Sequence, residues 1–149
     1  MAAYIARAEM LIRSPVADVF NAFVDPGTIT KFWLESATGP LVKGARVVWR
    51  FMVPGAEETV IVTALEDQQR IAFDWSNGMG VTLTFAKKGD RATRVAVEVT
   101  GFHGSEAEDQ VVTTTEGFSI VLCDLKTLLE TGHSANLVKD KAELIAQSL

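Results

Sequence analysis

A chain of 149 residues with 48% hydrophobic and 22% charged side chains has the balance of one folded domain, able to bury roughly 68–70% of its unfolded surface, and not that of a disordered chain. The formal charge of −5 comes from 14 basic and 19 acidic residues with no basic run to neutralise a row of phosphates, which argues against nucleic-acid binding. No apolar stretch approaches about 18 residues and no basic-apolar leader opens the chain, so neither a membrane span nor a secretory signal is expected; with a single cysteine, the sequence reads as cytoplasmic.

From Ala3 to Ile12, Tyr4, Ala6, Ala8, Met10 and Ile12 alternate with Arg7 and Glu9, the pattern of a half-buried strand. Ser14-Pro15-Val16-Ala17-Asp18 then reads as a helix start. The Ser14 hydroxyl is suited to cap orphan N–H groups, Pro15 fits the first helical position, and Asp18 suits the positive end of the dipole. Val16, Val19, Phe20 and Phe23 form its apolar stripe, Asp25-Pro26-Gly27 stops it, and a second short helix is expected over Ile29 to Trp33.

Turns at Gly39-Pro40 and Lys43-Gly44 lead to a strand over Ala45–Val53, ended by Pro54-Gly55. In the next strand, Glu58–Glu66, Ile61, Thr63 and Leu65 alternate against Val60 and Val62. Arg70–Ser76 follows, and Asn77-Gly78 is a strong hairpin signal. A strand carrying Val81, Leu83 and Phe85 runs to Lys87-Lys88-Gly89-Asp90, and Arg94–Phe102 is the last, with Val95, Val97 and Val99 on one face. Short turns between these strands imply an antiparallel meander.

One long helix follows, over Ser105 to Thr131, with Val111, Phe118, Leu122, Leu125 and Leu129 on one face. Such a face needs an apolar surface to cover, and the sheet supplies it. The expected fold is therefore α+β: a curved antiparallel sheet of about six strands around a long C-terminal helix, with two short helices after the first strand. Two such layers often leave a pocket between them. Cys123 reads as a small buried residue of the long helix, whereas Val112 and Ile120 fall away from its main face. One domain is expected, with a core over 3–131 and an amphipathic extension over 132–149 carrying Leu137, Val138, Leu144 and Ile145.

This order of elements resembles the helix-grip architecture of the START-like superfamily. Ile12-Arg13-Ser14-Pro15-Val16-Ala17-Asp18-Val19-Phe20-Asn21-Ala22-Phe23-Val24-Asp25-Pro26, followed by Phe32-Trp33, resembles more closely the opening of the activator-of-heat-shock-protein-ATPase homologue (AHSA-like) family. Arg70-Ile71-Ala72-Phe73-Asp74-Trp75 is similar to that family's strand ending in Trp, and Glu116-Gly117-Phe118 to its glycine-aromatic entry into the last helix. The likeness covers residues from about 3 to 131, and Phe118 stands where the family usually carries Trp. The eukaryotic co-chaperones of the family carry a further domain, for which 149 residues leave no room.

Ligand contacts are expected from Trp33, Trp49, Phe73, Trp75, Phe85, His103, Phe118 and Leu122. The superfamily places residues like Trp33 at a pocket mouth, where an indole offers broad contact and one N–H; the alternative is a rim packing residue. Trp75 shares a face with Ile71 and Phe73, either toward a cavity or as packed core, and Trp49 alternates with Val47 and Phe51. His103 has the parity of Val95, Val97 and Val99 and points inward unless the glycines at 101 and 104 turn it to the surface. Arg46, Arg50, Asp74 and Glu98 are expected outside.

No catalytic constellation is visible. His103 and His133 lack metal spacing with Cys123 or a carboxylate pair, Cys123 has no close base beyond Lys126, and no nucleophile elbow, P-loop or dinucleotide fingerprint occurs, so neither a metal nor a cofactor is expected. The leading reading is a binder of a small hydrophobic molecule between sheet and long helix. A closed interior filled by side chains, with no pocket above about 300 Å³, would exclude it. Two alternatives stand beside it: the resemblance implies a cyclase or lyase, for which His103 would be the acid or base, and Val112 and Ile120 on the long helix hint at an interaction module, either a homodimer or a partner of a chaperone.

Overall fold

The computed structural model describes residues 3–148. In chain order it contains β1 (Ala6–Ile12), α1 (Val16–Val24), α2 (Pro26–Phe32), β2 (Leu34–Ala37), β3 (Arg46–Phe51), β4 (Glu57–Glu66), β5 (Arg70–Trp75), β6 (Gly80–Lys87), β7 (Thr93–Thr100), α3 (Ala107–Thr131) and α4 (Leu137–Gln147). The strands form one seven-stranded antiparallel sheet in the order β1-β7-β6-β5-β4-β3-β2. The period of 2 decides its faces: Val95, Val97 and Val99 of β7 and Val81, Leu83 and Phe85 of β6 are buried, whereas Arg94 and Glu98 between them are exposed. Alpha3 packs over the buried face through Phe118, Val121, Leu122 and Leu125, with Val111 and Leu129 partly buried beside them. This is the helix-grip arrangement.

Five local expectations change. Strand β2, Leu-Glu-Ser-Ala, is too short to show a period and is held by pairing to the edge of β3. Asp25-Pro26-Gly27 ends α1 but also starts α2, because the Asp25 carboxylate accepts the Gly27 N–H at 3.2 Å and Pro26 fills the first helical position. Ser14 is not the cap of α1. Pro15 holds that position, and no side chain caps the helix. In β4 a bulge between Val62 and Ala64 resets the parity, so Leu65 packs toward the core while Ile61 stays exposed. Cys123 is half-buried rather than buried.

The exit from β7 is set by Gly101. Its φ of +97° is a left-handed conformation, and a Cβ there would stand 2.6 Å from the Gly78 carbonyl oxygen in the β5–β6 turn. Gly101→Ala is therefore expected to destabilise the protein by about 2–4 kcal/mol, read from urea unfolding midpoints. The same turn breaks the strand parity before His103.

The far end of α3 is tied to β1. Glu130 accepts the Arg13 N–H at 2.7 Å and the Lys126 ammonium at 2.6 Å, and Lys126 also donates to the Leu11 carbonyl at 2.7 Å. The Arg13 N–H first, then Lys126, hold the Glu130 carboxyl below its ordinary value of 4.5. A carboxyl depressed in the folded state stabilises above the unfolded value, and that contribution disappears as pH falls from about 4.5 through the folded value. Glu130→Gln should thus flatten the acid limb of stability against pH, measured as urea midpoints between about pH 3 and 6.

Candidate functional site

Aromatic side chains fill most of the space between sheet and long helix. Every tryptophan and every phenylalanine except Phe102 joins one network of ring contacts. Trp33, delivered by the last turn of α2, lies at its centre, 5.0 Å from the Trp49 ring and 5.4 Å from Phe118 by centroids, both edge-on. Trp75 stacks on Phe118 at 6.0 Å and 17°. Edge and offset contacts of this kind add about 0.5–1.5 kcal/mol each to plain burial, so the cluster is a rigid floor.

The room lies above that floor, toward the side of the sheet formed by the β3–β4 hairpin. A cavity of about 290 Å³ opens between α3, α4 and the hairpin joining β3 to β4. Trp33, Trp75 and Phe118 form its base, and Phe51, Met52, Val53 and Ala56 its hairpin wall. Thr114, Gly117 and Val121 face it from α3, and Val138, Lys141, Ala142 and Ile145 from α4, in both cases at 3–4–7 spacing. Ile120, expected to fall away from the main face of α3, is on the lining too.

Two features set its character. Gly117 sits in the middle of a long helix, where a Cβ would meet no atom within 4 Å, and the missing side chain leaves that volume open. The other is the indole N–H of Trp75, buried and without a hydrogen-bond partner among the described residues. Lys141 is the one charged residue on the lining, and its ammonium lies 2.9 Å from Glu116.

Alpha4 owes its position to a single buried acid. Asp124, 1% exposed on α3, accepts from the Ser134 hydroxyl at 2.8 Å, the Ala135 N–H at 3.2 Å and the Val138 N–H at 3.4 Å. It supplies the cap that α4 lacks, since Asn136 in the N-cap position makes no side-chain bond. The chain turns back to allow this through left-handed residues at Gly132 and Asn136.

The expected contact residues divide into three groups. Trp33, Trp75 and Phe118 reach the cavity. Trp49, Phe73, Phe85 and Leu122 are packed behind it, none more than 7% exposed. His103 is elsewhere: it is exposed in the loop after β7, with its Nδ1 3.0 Å from the Gly101 carbonyl oxygen. Arg46, Arg50, Asp74 and Glu98 are exposed as expected. Reading the sequence missed the β3–β4 hairpin and α4 as walls. The signals were Gly117 inside a helix and the spacing of Val138, Ala142 and Ile145, masked by Lys141. Among the described residues, no group of His, Cys, Asp and Glu could hold a metal, and no helix is long and apolar enough to cross a membrane.

Comparison with known proteins agrees with this fold. The protein SSP2350 from Staphylococcus saprophyticus is 29% identical, with a TM-score of 0.78 over 88% of this chain and 95% of its own. DynU16, from the dynemicin biosynthetic locus, is 26% identical with a TM-score of 0.75, over 87% of this chain and 48% of its own. The Aha1 dimer from Colwellia psychrerythraea shares the fold at 18% identity and a TM-score of 0.77, over 87% of this chain and 98% of its own. No curated protein sequence matches the chain. The sequence profile of the Activator of Hsp90 ATPase homolog 1-like proteins matches residues 13–130, from the end of β1 to the last turn of α3. The chain belongs to that family, within the START-like helix-grip superfamily.

Proposed function

We propose that this protein binds a small, largely apolar molecule in the cavity between α3, α4 and the β3–β4 hairpin. The observation that carries the reading is the cavity itself: about 290 Å³, floored by Trp33, Trp75 and Phe118 and kept open by Gly117. The pocket is open rather than closed over by side chains, and its volume falls just under the range of about 300–1,000 Å³ for ligand pockets, so the ligand is small. It carries at least one acceptor. A buried donor without a partner costs about 1–3 kcal/mol, and an acceptor that pairs with the Trp75 indole after a small turn of the ring offsets that.

The cyclase or lyase reading has less to stand on, because its acid or base, His103, lies outside the cavity. The test is native mass spectrometry on protein purified from its own cells, followed by titration with anilinonaphthalene sulfonate. A retained mass, or one equivalent of dye that quenches tryptophan emission saturably, is the expected result. Neither a retained mass nor a saturable quench would remove the proposal.

A further inference from the structure

We infer a second, polar site at the opposite end of α3: a pocket for a phosphate group at the corner where β1 turns into α1. The chain has 14 cationic side chains, and Arg7, Arg50, Arg70, Lys87, Arg94, Lys126 and Lys141 are in ion pairs. Of the others, Arg13, Lys88 and Arg91 meet in one solvent-open depression of about 540 Å³, making no ion pair among the described residues. In a protein of net charge −5 this is a local excess of positive charge. The one acid on its wall is Asp18; Glu130 stands beside it, accepting the Arg13 N–H at 2.7 Å, and is itself paired with Lys126. Asp90, in the same hairpin as Lys88 and Arg91, is drawn away to Lys87 at 3.3 Å.

The second observation is Ser14. It is only 7% exposed and lines the depression, yet its hydroxyl has no hydrogen-bond partner among the described residues. The residue that should cap α1 leaves the helix uncapped, with Asp18 and Val19 bonded to the Pro15 carbonyl and the Val16 and Ala17 N–H groups free. The corner is nevertheless held firmly: Thr93, fully buried, donates its hydroxyl to the Ser14 carbonyl at 2.9 Å. A fixed corner with a free hydroxyl and three cations on one wall, beside the uncapped first turn of a helix, is what a tetrahedral oxyanion uses. Arg side chains supply paired donors, Lys a point charge, and the helix start fixed dipoles.

The shared chemistry is a phosphate group, free, on a soluble ester or on a lipid headgroup. The test is an amide NMR titration of the full chain with inorganic phosphate, at an ionic strength held constant with chloride. Saturable shifts are expected at Ser14, Val16 and Ala17 and across 88–92. Lys88→Ala with Arg91→Ala should weaken binding about tenfold or more, and Ser14→Ala by a few-fold. Both changed cations are on an exposed hairpin, and an unchanged spectrum elsewhere checks the fold. The control pair Lys43→Ala with Lys139→Ala, also cations in no ion pair among the described residues, should leave binding unchanged.

A parallel arm uses phosphatidylcholine vesicles doped with phosphatidic acid. Phosphate binding without vesicle binding assigns a soluble source, and vesicle binding lost in the Lys88/Arg91 variant assigns a headgroup. Shifts no different from those with chloride, equal weakening by both double variants, or vesicle binding that survives the Lys88/Arg91 change would each overturn the site.

Discussion

Replacing Asp124 with alanine is expected to lower stability by about 2–4 kcal/mol and to release α4 from the body of the protein. The carboxylate is nearly inaccessible and serves three donors, one hydroxyl and two N–H groups, in the segment that leads into α4. Alanine removes every acceptor at once. The Val138 N–H belongs to the first turn of α4, where no backbone carbonyl is available, and Asn136 offers no side-chain substitute. What then remains to hold α4 is the Glu116–Lys141 pair, half exposed and worth about 0–1 kcal/mol, and the contacts of Val138, Ala142 and Ile145 across the cavity. An eleven-residue helix is marginal by itself in water. Hydrogen exchange at Lys139–Ala142 should therefore accelerate well before global unfolding, and tryptophan emission should shift red as the cavity opens. Asp124→Asn, which keeps one oxygen, should lose roughly half as much. Unaltered exchange in α4 of the alanine variant would show that the helix is held by its apolar face alone.

The division between what could be read in advance and what could not follows from the range of the interactions. Strands with period 2, such as Arg94–Phe102, and the long stripe from Val111 to Leu129 declare themselves, because each residue's burial follows from its neighbours in sequence. Boundaries fail where a tertiary contact decides. Strand β2 exists only as the partner of β3, and Ser14 loses its capping role because Pro15 takes the cap position while Thr93 ties down the Ser14 carbonyl. The site shows the same contrast. The aromatic residues Trp33, Trp75 and Phe118 were legible as a group, but which rings border space and which are packed behind them depends on how α2, β5 and α3 converge. Parity placed His103 inward until the left-handed Gly101 redirected the chain. Asp124 gives no local signal at all: its donors lie ten or more residues downstream, beyond a turn through Gly132.

Gly117 separates stability from binding. Glycine inside a helix is about 0.5–1 kcal/mol less favourable than alanine, and the Cβ of an alanine here would enter open space. Gly117→Ala should therefore raise the urea midpoint while trimming the cavity only slightly. Gly117→Leu adds three further carbons over the rings of Trp33, Trp75 and Phe118, in a volume of about 290 Å³ that has few polar groups to conflict with it. Its stability should match or exceed that of the parent, because apolar ring surface is covered and the new Cβ enters open space. Binding of an apolar probe should fall about tenfold or more, since the space is taken. The opposite signs carry the argument. A residue needed only for packing would lose both together, and one irrelevant to the cavity would change neither. A leucine variant that stays folded and binds the probe as tightly as the parent would place the ligand somewhere other than this cavity.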